Sequence, residues 1–210
     1  TIQYAYEDRD SSPLYFDVPN VLYTVKDLGI WDLIYEHYSF FSPRSLNRLF
    51  TDGNFDVLVA KEAFGGQFLS IEAYSGKRPD NLILNQENTL ESISTHVFDF
   101  PERFRNKLEY WNNILREMKA ARKRVVVWGA GSKGVTFLNL IDIQDFIEYV
   151  VDINPRKQGM FISGCGQKIV HPEFLKEYRP QLVVIMNDIY KNEIESLVQE
   201  LGLYPEYLVA

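Results

Sequence analysis

Apolar residues alternate between short continuous runs and a helical repeat, and the changes between the two mark the elements of the chain. Leu14-Tyr-Phe-Asp-Val18 is a short apolar run closed by Pro19-Asn20, the pattern of a buried strand ended by turn residues. Asp17 and Asn20 then fall near its carboxyl end, the edge where open α/β sheets bind ligands, although polar loop residues are the simpler reading of both. Ser42-Pro-Arg-Ser-Leu-Asn-Arg-Leu-Phe50 predicts a helix, with Ser42 as N-cap, Pro43 in the first turn and Gly53 beyond its end. Phe55 to Phe64 and Gln67 to Tyr74 read as two strands joined through Gly65-Gly66, a hairpin rather than a helical crossover. Polar residues dominate from Gly76 to Glu87, around Pro79, Asp80 and Asn81, and predict a loop or linker. Beyond it, Phe104, Leu108, Trp111, Leu115 and Met118 recur at helical spacing behind a capping-box pattern at Asp99 and Glu102. One long amphipathic helix starting at that box is expected. Its apolar stripe packs on one of two units and bridges them, or else forms a partner-binding face.

The remainder of the chain changes to strands that are apolar throughout. Arg124-Val-Val-Val-Trp-Gly-Ala-Gly-Ser-Lys-Gly134 runs a buried strand into Gly129, Gly131 and Gly134, the spacing of a nucleotide-binding loop. In such a loop the first glycine allows the sharp turn, the second admits a pyrophosphate to the backbone, and the third lets the next helix pack close to the sheet. An anion would sit on that helix N-terminus. Val135 to Ile141 reads as the helix and Phe146-Ile-Glu-Tyr-Val-Val-Asp152 as a second strand. Asp152 ends it about 20 residues after the loop, where a ribose-binding carboxylate belongs. Lys133 either meets a phosphate or points to solvent. Leu182 to Met186 is a third parallel-type strand, followed by Asn187-Asp188, a helix from Asn192 to Leu201 and a short strand from Tyr207 to Val209. Together these predict a Rossmann-like parallel α/β domain. Glycines that serve packing alone are the competing reading of the loop.

Composition narrows the partners. A chain of 210 residues, 46% hydrophobic, has enough apolar surface for one large or two small domains. The net charge of −7 argues against nucleic acid. Arg116, Lys119, Arg122, Lys123 and Arg124 do cluster, but they follow the long helix, where cations complement the C-terminal dipole. The single cysteine, Cys165, excludes an internal disulfide and a cysteine-based zinc site, and it fits a reducing cytoplasm. No signal peptide and no membrane-spanning apolar run is apparent. The start at Thr1 reads as processing or excision from a longer polypeptide.

The chemistry centres on Tyr35-Glu36-His37. A histidine beside a carboxylate and a phenol can serve as a general base, since an unperturbed imidazole near pKa 6.5 is mostly neutral at cellular pH. Neighbours on a regular helix or strand face apart, so Glu36 and His37 share a site only where the backbone is irregular. A structural or solvent-facing role is the alternative. His96 and His171 have no partners at metal-ligand spacing and read as loop or helix-start residues.

Six segments together carry a resemblance that covers nearly the whole chain. Trp31-Asp-Leu-Ile-Tyr-Glu-His-Tyr-Ser-Phe-Phe-Ser42, Gly65-Gly-Gln-Phe-Leu-Ser-Ile-Glu-Ala73 and Val127-Trp-Gly-Ala-Gly-Ser-Lys-Gly134 resemble the S-adenosylmethionine-dependent sugar C-methyltransferases. Val151-Asp-Ile-Asn-Pro-Arg-Lys-Gln-Gly159, His171-Pro-Glu-Phe-Leu175 and Ile185-Met-Asn-Asp-Ile-Tyr190 are similar to that family's Rossmann-like C-terminal domain. The resemblance implies that residues 1–80 are the C-terminal part of a class I methyltransferase domain, ending in an antiparallel hairpin. Residues 81–122 would be a linker with the long helix, and 123–210 the Rossmann-like C-terminal domain.

Family members also have a zinc-binding N-terminal segment and an upstream glycine motif that holds S-adenosylmethionine. The resemblance therefore implies an upstream half of the same polypeptide, no S-adenosylmethionine contacts in these residues, and no methyl transfer by this chain alone. In the family a base removes a proton beside a ketone, and the enolate attacks the methyl group of S-adenosylmethionine. His37 matches the base, and Glu36 matches the acid that orients it. Tyr35 is the candidate to hydrogen-bond the enolate oxygen. Many members have a residue between the tyrosine and the Glu-His pair, whereas Tyr35 directly precedes Glu36, which leaves its role open. The C-terminal domain would hold a nucleotide-linked keto-sugar, with Gly129, Gly131, Ser132, Lys133, Gly134 and Asp152 as nucleotide-side residues. The alternative from another class is a non-catalytic module binding NAD or a nucleotide-sugar. A purely structural lid or dimerisation domain is a third.

Overall fold

A computed structural model describes residues 13–75 and 90–210. They form an α/β protein with two sheets, one of three antiparallel strands and one of five parallel strands. The chain divides into two compact units, one comprising residues up to Ile30 and from Tyr35 to Arg103, the other Trp31–Ile34 and Phe104–Ala210. The polar stretch from Gly76 to Glu87, read as a linker, lies outside the described residues.

In the first unit, strand β1 (Pro13–Pro19) leads into a short helix α1 (Val21–Val25), and helix α2 (Pro43–Asp52) precedes the hairpin of β2 (Phe55–Ala63) and β3 (Phe68–Ser75). The strand order is β1-β3-β2, and β3 runs antiparallel to both neighbours. The expected hairpin is present and turns through Phe64 to Gln67. Helix α2 forms where its end signals lie: the Ser42 hydroxyl accepts from the Ser45 N–H at 3.2 Å, Pro43 opens the helix and Gly53 closes it. Leu46 and Phe50 of α2 bury against Phe55, Val57, Leu69, Ile71 and Ala73, while Leu14, Phe16 and Val18 of β1 close the same core. Asn20 is buried and works as a tie. Its Oδ1 accepts from the Leu22 N–H at 3.1 Å and caps α1, and its amide donates to the Gly66 carbonyl at 2.9 Å across the sheet.

Helix α3 spans Leu90–Ala120, so it begins before the Asp99 and Glu102 box, and both residues lie inside it together with Pro101. The box matched a helix start because proline is at home in a first turn. Nothing upstream stops the helix, since Leu90 to Phe98 contains neither glycine nor proline, and Ile93, Val97, Phe100 and Phe104 continue the apolar spacing. His96 is accordingly a helix-interior residue rather than a helix start. Further along, Trp111 and Leu115 are buried, as their spacing predicts.

The second unit is built on β4 (Val125–Trp128), α4 (Ser132–Leu140), β5 (Tyr149–Val151), β6 (Lys168–Val170), α5 (Leu175–Tyr178), β7 (Leu182–Ile185), α6 (Lys191–Glu200) and β8 (Glu206–Val209). All five strands are parallel, in the order β6-β5-β4-β7-β8. Strands β4 and β7 are buried at every position, which is why they read as unbroken apolar runs. The second strand is shorter than Phe146–Asp152. Pairing of Val126–Trp128 with Tyr149–Val151 sets its length, and Phe146 lies in a 3₁₀ turn (Gln144–Phe146). Strand β6 had no sequence signal of its own because three residues, Lys168-Ile-Val170, are too few to show a period.

The hydroxyl of Tyr207 is buried without a hydrogen-bond partner, and burial followed by the charge of Glu195 pushes its pKa up to about 12. Tyr207→Phe is expected to raise stability by about 1 kcal/mol at pH 7, because an unsatisfied polar group is removed. A folded pKa above the unfolded value near 10 means that the neutral phenol's contribution is complete below about pH 10 and is lost as pH climbs toward 12. The advantage of Tyr207→Phe therefore grows across that window. Urea denaturation of both proteins at pH 7 and pH 11 checks this, and an equal difference at the two pH values would refute it.

Candidate functional site

The glycine loop joins β4 to α4 at the point where the strand order reverses, between β4 and its neighbours β5 and β7. Ligands of open α/β sheets bind at such switch points. A cleft of about 340 Å³ lies there, lined by Trp128, Gly129 and residues 131–134 on the loop side, Asp152 and Ile153 after β5, and Met186, Asn187, Tyr190, Glu193, Ile194 and Leu197 after β7 and on α6. The volume is near the lower limit of small-molecule sites. The glycines serve different ends. Gly129 adopts φ 115°, a conformation that side chains resist, and a Cβ at Gly134 would drive into the Gly129 carbonyl. A Cβ at Gly131 would meet nothing within 4 Å, so this glycine is not required by packing.

Asp152 stands where the spacing predicts, at the end of β5, but its carboxylate turns back onto the loop. Oδ2 accepts from the Ala130 N–H at 2.9 Å, Oδ1 accepts from the Asn154 N–H at 2.8 Å, and Lys157 Nζ lies 3.3 Å from Oδ2. Lys157 also donates to the Ala130 carbonyl at 3.0 Å. Asp152 and Lys157 thus clamp Ala130 from both sides, and the carboxylate is 11% exposed. Its two oxygens accept from the protein's own backbone and from Lys157.

Lys133 lines the cleft and is largely withdrawn from solvent. Its ammonium pairs with Asp32 at 3.1 Å, with side chains only 16% and 11% exposed. Asp32 belongs to the segment Trp31–Ile34 that is part of this unit. Trp31 beside it packs edge-on against Phe137 with centroids 5.0 Å apart, and Phe137 packs against Trp111 at 5.3 Å. Lys107 sits over the Trp31 ring at 5.4 Å, and burial, then the charge of Lys133, lowers its pKa. No local sequence signal announced Asp32, because its partner is distant in the chain.

Tyr35, Glu36 and His37 belong to the first unit. Tyr35 and Glu36 form a turn, and residues 37–40 are in neither helix nor strand, so the backbone has the irregularity that a shared site requires. Tyr35 is 97% exposed, while the half-buried His37 ring lies edge-on to Phe40 and Phe68, with centroids at 5.9 and 6.4 Å. On β1, Asp17 accepts from the Tyr15 hydroxyl at 3.0 Å and from the Ser70 hydroxyl, so it too is engaged within the sheet. His171 caps the 3₁₀ turn Pro172–Phe174, its Nδ1 accepting from the Glu173 N–H at 3.1 Å, in keeping with a helix-start role.

Among the described residues no helix is long and apolar enough to cross a membrane, and no group of three or more His, Cys, Asp or Glu residues could hold a metal ion. No curated protein matches the chain. A family model described as the C-methyltransferase C-terminal domain matches residues 73–202, more than half of the sequence and nearly all of the second unit. With the parallel sheet, the glycine loop and the family match in agreement, the chain belongs to the C-methyltransferase C-terminal domain family.

Proposed function

We propose that the chain is the C-terminal portion of an S-adenosylmethionine-dependent C-methyltransferase acting on a nucleotide-linked keto-sugar. The observation that carries this reading is the family match over residues 73–202, which begins within β3, the central strand of a three-stranded sheet and antiparallel to both neighbours. That sheet has the strand directions expected for the end of a class I methyltransferase domain. Upstream residues of the same polypeptide would supply the S-adenosylmethionine cradle. His37 would take the proton beside the ketone, Glu36 would orient the imidazole, and Tyr35 would hydrogen-bond the enolate oxygen once substrate covers it. The cleft of the second unit would contribute to holding the substrate nucleotide.

Methyl transfer to a thymidine-diphosphate-linked keto-sugar, together with solvent deuterium exchange at the carbon beside the ketone, tests the reading in the full-length polypeptide. His37→Gln is expected to lower both rates by about 10² to 10⁴, the usual contribution of a general base. Retention of both rates by His37→Gln would remove it from the mechanism. The chain alone should transfer no methyl group, and turnover by it would overturn the fragment reading.

The NAD-binding alternative draws less support, since the Asp152 carboxylate that would hold a ribose diol is engaged with Ala130, Asn154 and Lys157.

A further inference from the structure

We propose that Phe68, braced by Phe64 in the hairpin turn, is a positioning residue that fixes the ring of His37 for proton removal. The proposal rests on the methyltransferase reading, in which His37 is the base. A base must present its nitrogen along one direction, and a misplacement of about 1 Å can cost about 10²-fold in rate. His37 lies on irregular backbone, residues 37–40 being in neither helix nor strand, and Glu36 beside it is exposed, so the surrounding side chains set the ring. The half-buried imidazole meets two other rings edge-on, Phe40 at 5.9 Å and 80° and Phe68 at 6.4 Å and 86°. Near-perpendicular contacts at such distances are a preferred arrangement of aromatic pairs, and two of them limit how the imidazole can turn.

Both neighbours rest on fixed backbone. Phe68 opens β3, the central strand, and pairs with Pro19 of β1 and Ala63 of β2. Phe40 precedes Phe41, whose N–H donates to the Pro19 carbonyl at 3.3 Å and whose carbonyl accepts from the Val21 N–H at 2.9 Å. Phe68 does not belong to the core of the sheet. Leu69, Ile71 and Ala73 of β3 point into that core, and the alternation of side chains along a strand puts Phe68 on the opposite face.

Phe64 shows what the arrangement costs. Its φ of 51° is left-handed, a conformation that a residue with a side chain resists and that the next two residues, Gly65 and Gly66, take freely. Its ring is also 61% exposed. An asparagine would suit the turn better on both counts. The Phe64 ring packs edge-on against Phe68 at 5.8 Å. The turn beneath it is tied down by the Gly66 N–H donating to the Ala63 carbonyl at 3.1 Å and by the Asn20 amide donating to the Gly66 carbonyl at 2.9 Å. Backbone strain of this kind collects at functional sites, and here it sets a ring beside Phe68, which faces His37.

Steady-state methyl transfer to a thymidine-diphosphate-linked keto-sugar by the full-length polypeptide tests the assignment. Phe68→Leu keeps an apolar side chain without a ring, and it is expected to lower kcat by about tenfold or more while KM changes by less than about threefold. Phe68→Tyr keeps the ring and should return kcat to within about twofold of the unchanged protein. Phe64→Asn relieves the left-handed strain, so its melting temperature should stay within about 3 °C while kcat falls by about threefold or more. Histidine ring resonances of the 210-residue chain give a second reading that needs no turnover. The chain has three histidines, His37→Gln identifies the signals of His37, and Phe68→Leu should shift those signals more than the signals of His96 and His171. A kcat for Phe68→Leu within about twofold of the unchanged protein, a loss confined to KM, or equal losses in Phe68→Leu and Phe68→Tyr would each overturn the proposal. So would parallel losses of rate and melting temperature in Phe64→Asn, or His37 signals indifferent to Phe68→Leu. Absence of methyl transfer by the unchanged polypeptide would instead remove the methyltransferase reading and the base with it, a result distinct from an active polypeptide that ignores Phe68.

Discussion

Asp32→Ala is expected to destabilise the second unit by about 3–5 kcal/mol, the range seen when one member of a buried ion pair is removed. The Asp32 and Lys133 side chains are 11% and 16% exposed, so water screens neither well. Removing the carboxylate strands the Lys133 ammonium close to Lys107, whose own charge is already disfavoured by burial and by Lys133. Two partly buried cations would then lie near each other without the Asp32 carboxylate. Trp31, Trp111 and Trp128, the three tryptophans of the sequence, all belong to this unit, so urea denaturation followed by tryptophan fluorescence reports on it directly. Replacing both partners, Asp32→Leu with Lys133→Met, should recover most of the loss, because a matched apolar pair carries no desolvation penalty. A single-variant loss under about 1 kcal/mol would show the pair to be solvated and weak.

Gly134→Ala is the second large effect. The added methyl group would collide with the Gly129 carbonyl oxygen, a backbone atom that cannot rotate away, and with nothing flexible to yield, the loop or the start of α4 must move. A loss of about 3 kcal/mol is expected, at the upper end for overpacking. Gly131→Ala is the control. Its methyl group would meet nothing within 4 Å, so the fold should change by no more than about 0.5 kcal/mol, while a ligand in the cleft would meet the methyl group directly. Thermal unfolding of the two variants separates the reasons for two glycines that look alike in the sequence, and equal losses would show that the loop tolerates or rejects side chains without regard to position.

The parts of the fold that were legible are those whose determinants are local. Ser42, Pro43 and Gly53 define α2 because caps act over a few residues, and Gly65-Gly66 defines the hairpin because the turn needs residues free to take positive φ. Continuous apolar runs gave β4 and β7 because both faces of a parallel strand are covered. The start of α3 was misplaced because Pro101 imitates a first-turn proline, although the apolar spacing of Ile93, Val97 and Phe100 continues upstream of it. For the site, position was legible and direction was not. The spacing put Asp152 at the end of β5, yet only the fold reveals that its carboxylate bonds Ala130, and only the fold brings Asp32 to Lys133.

The membership of Trp31–Ile34 in the second unit makes that unit discontinuous in the chain. A polypeptide begun at Phe104 would contain every strand of the parallel sheet and still lack the indole that covers Phe137 and the carboxylate that neutralises Lys133. It should therefore be prone to aggregation, and a short peptide spanning residues 31–34 is a rational additive for its refolding. During synthesis the same four residues emerge long before their partners, so they must wait, unsatisfied, until α4 has been made.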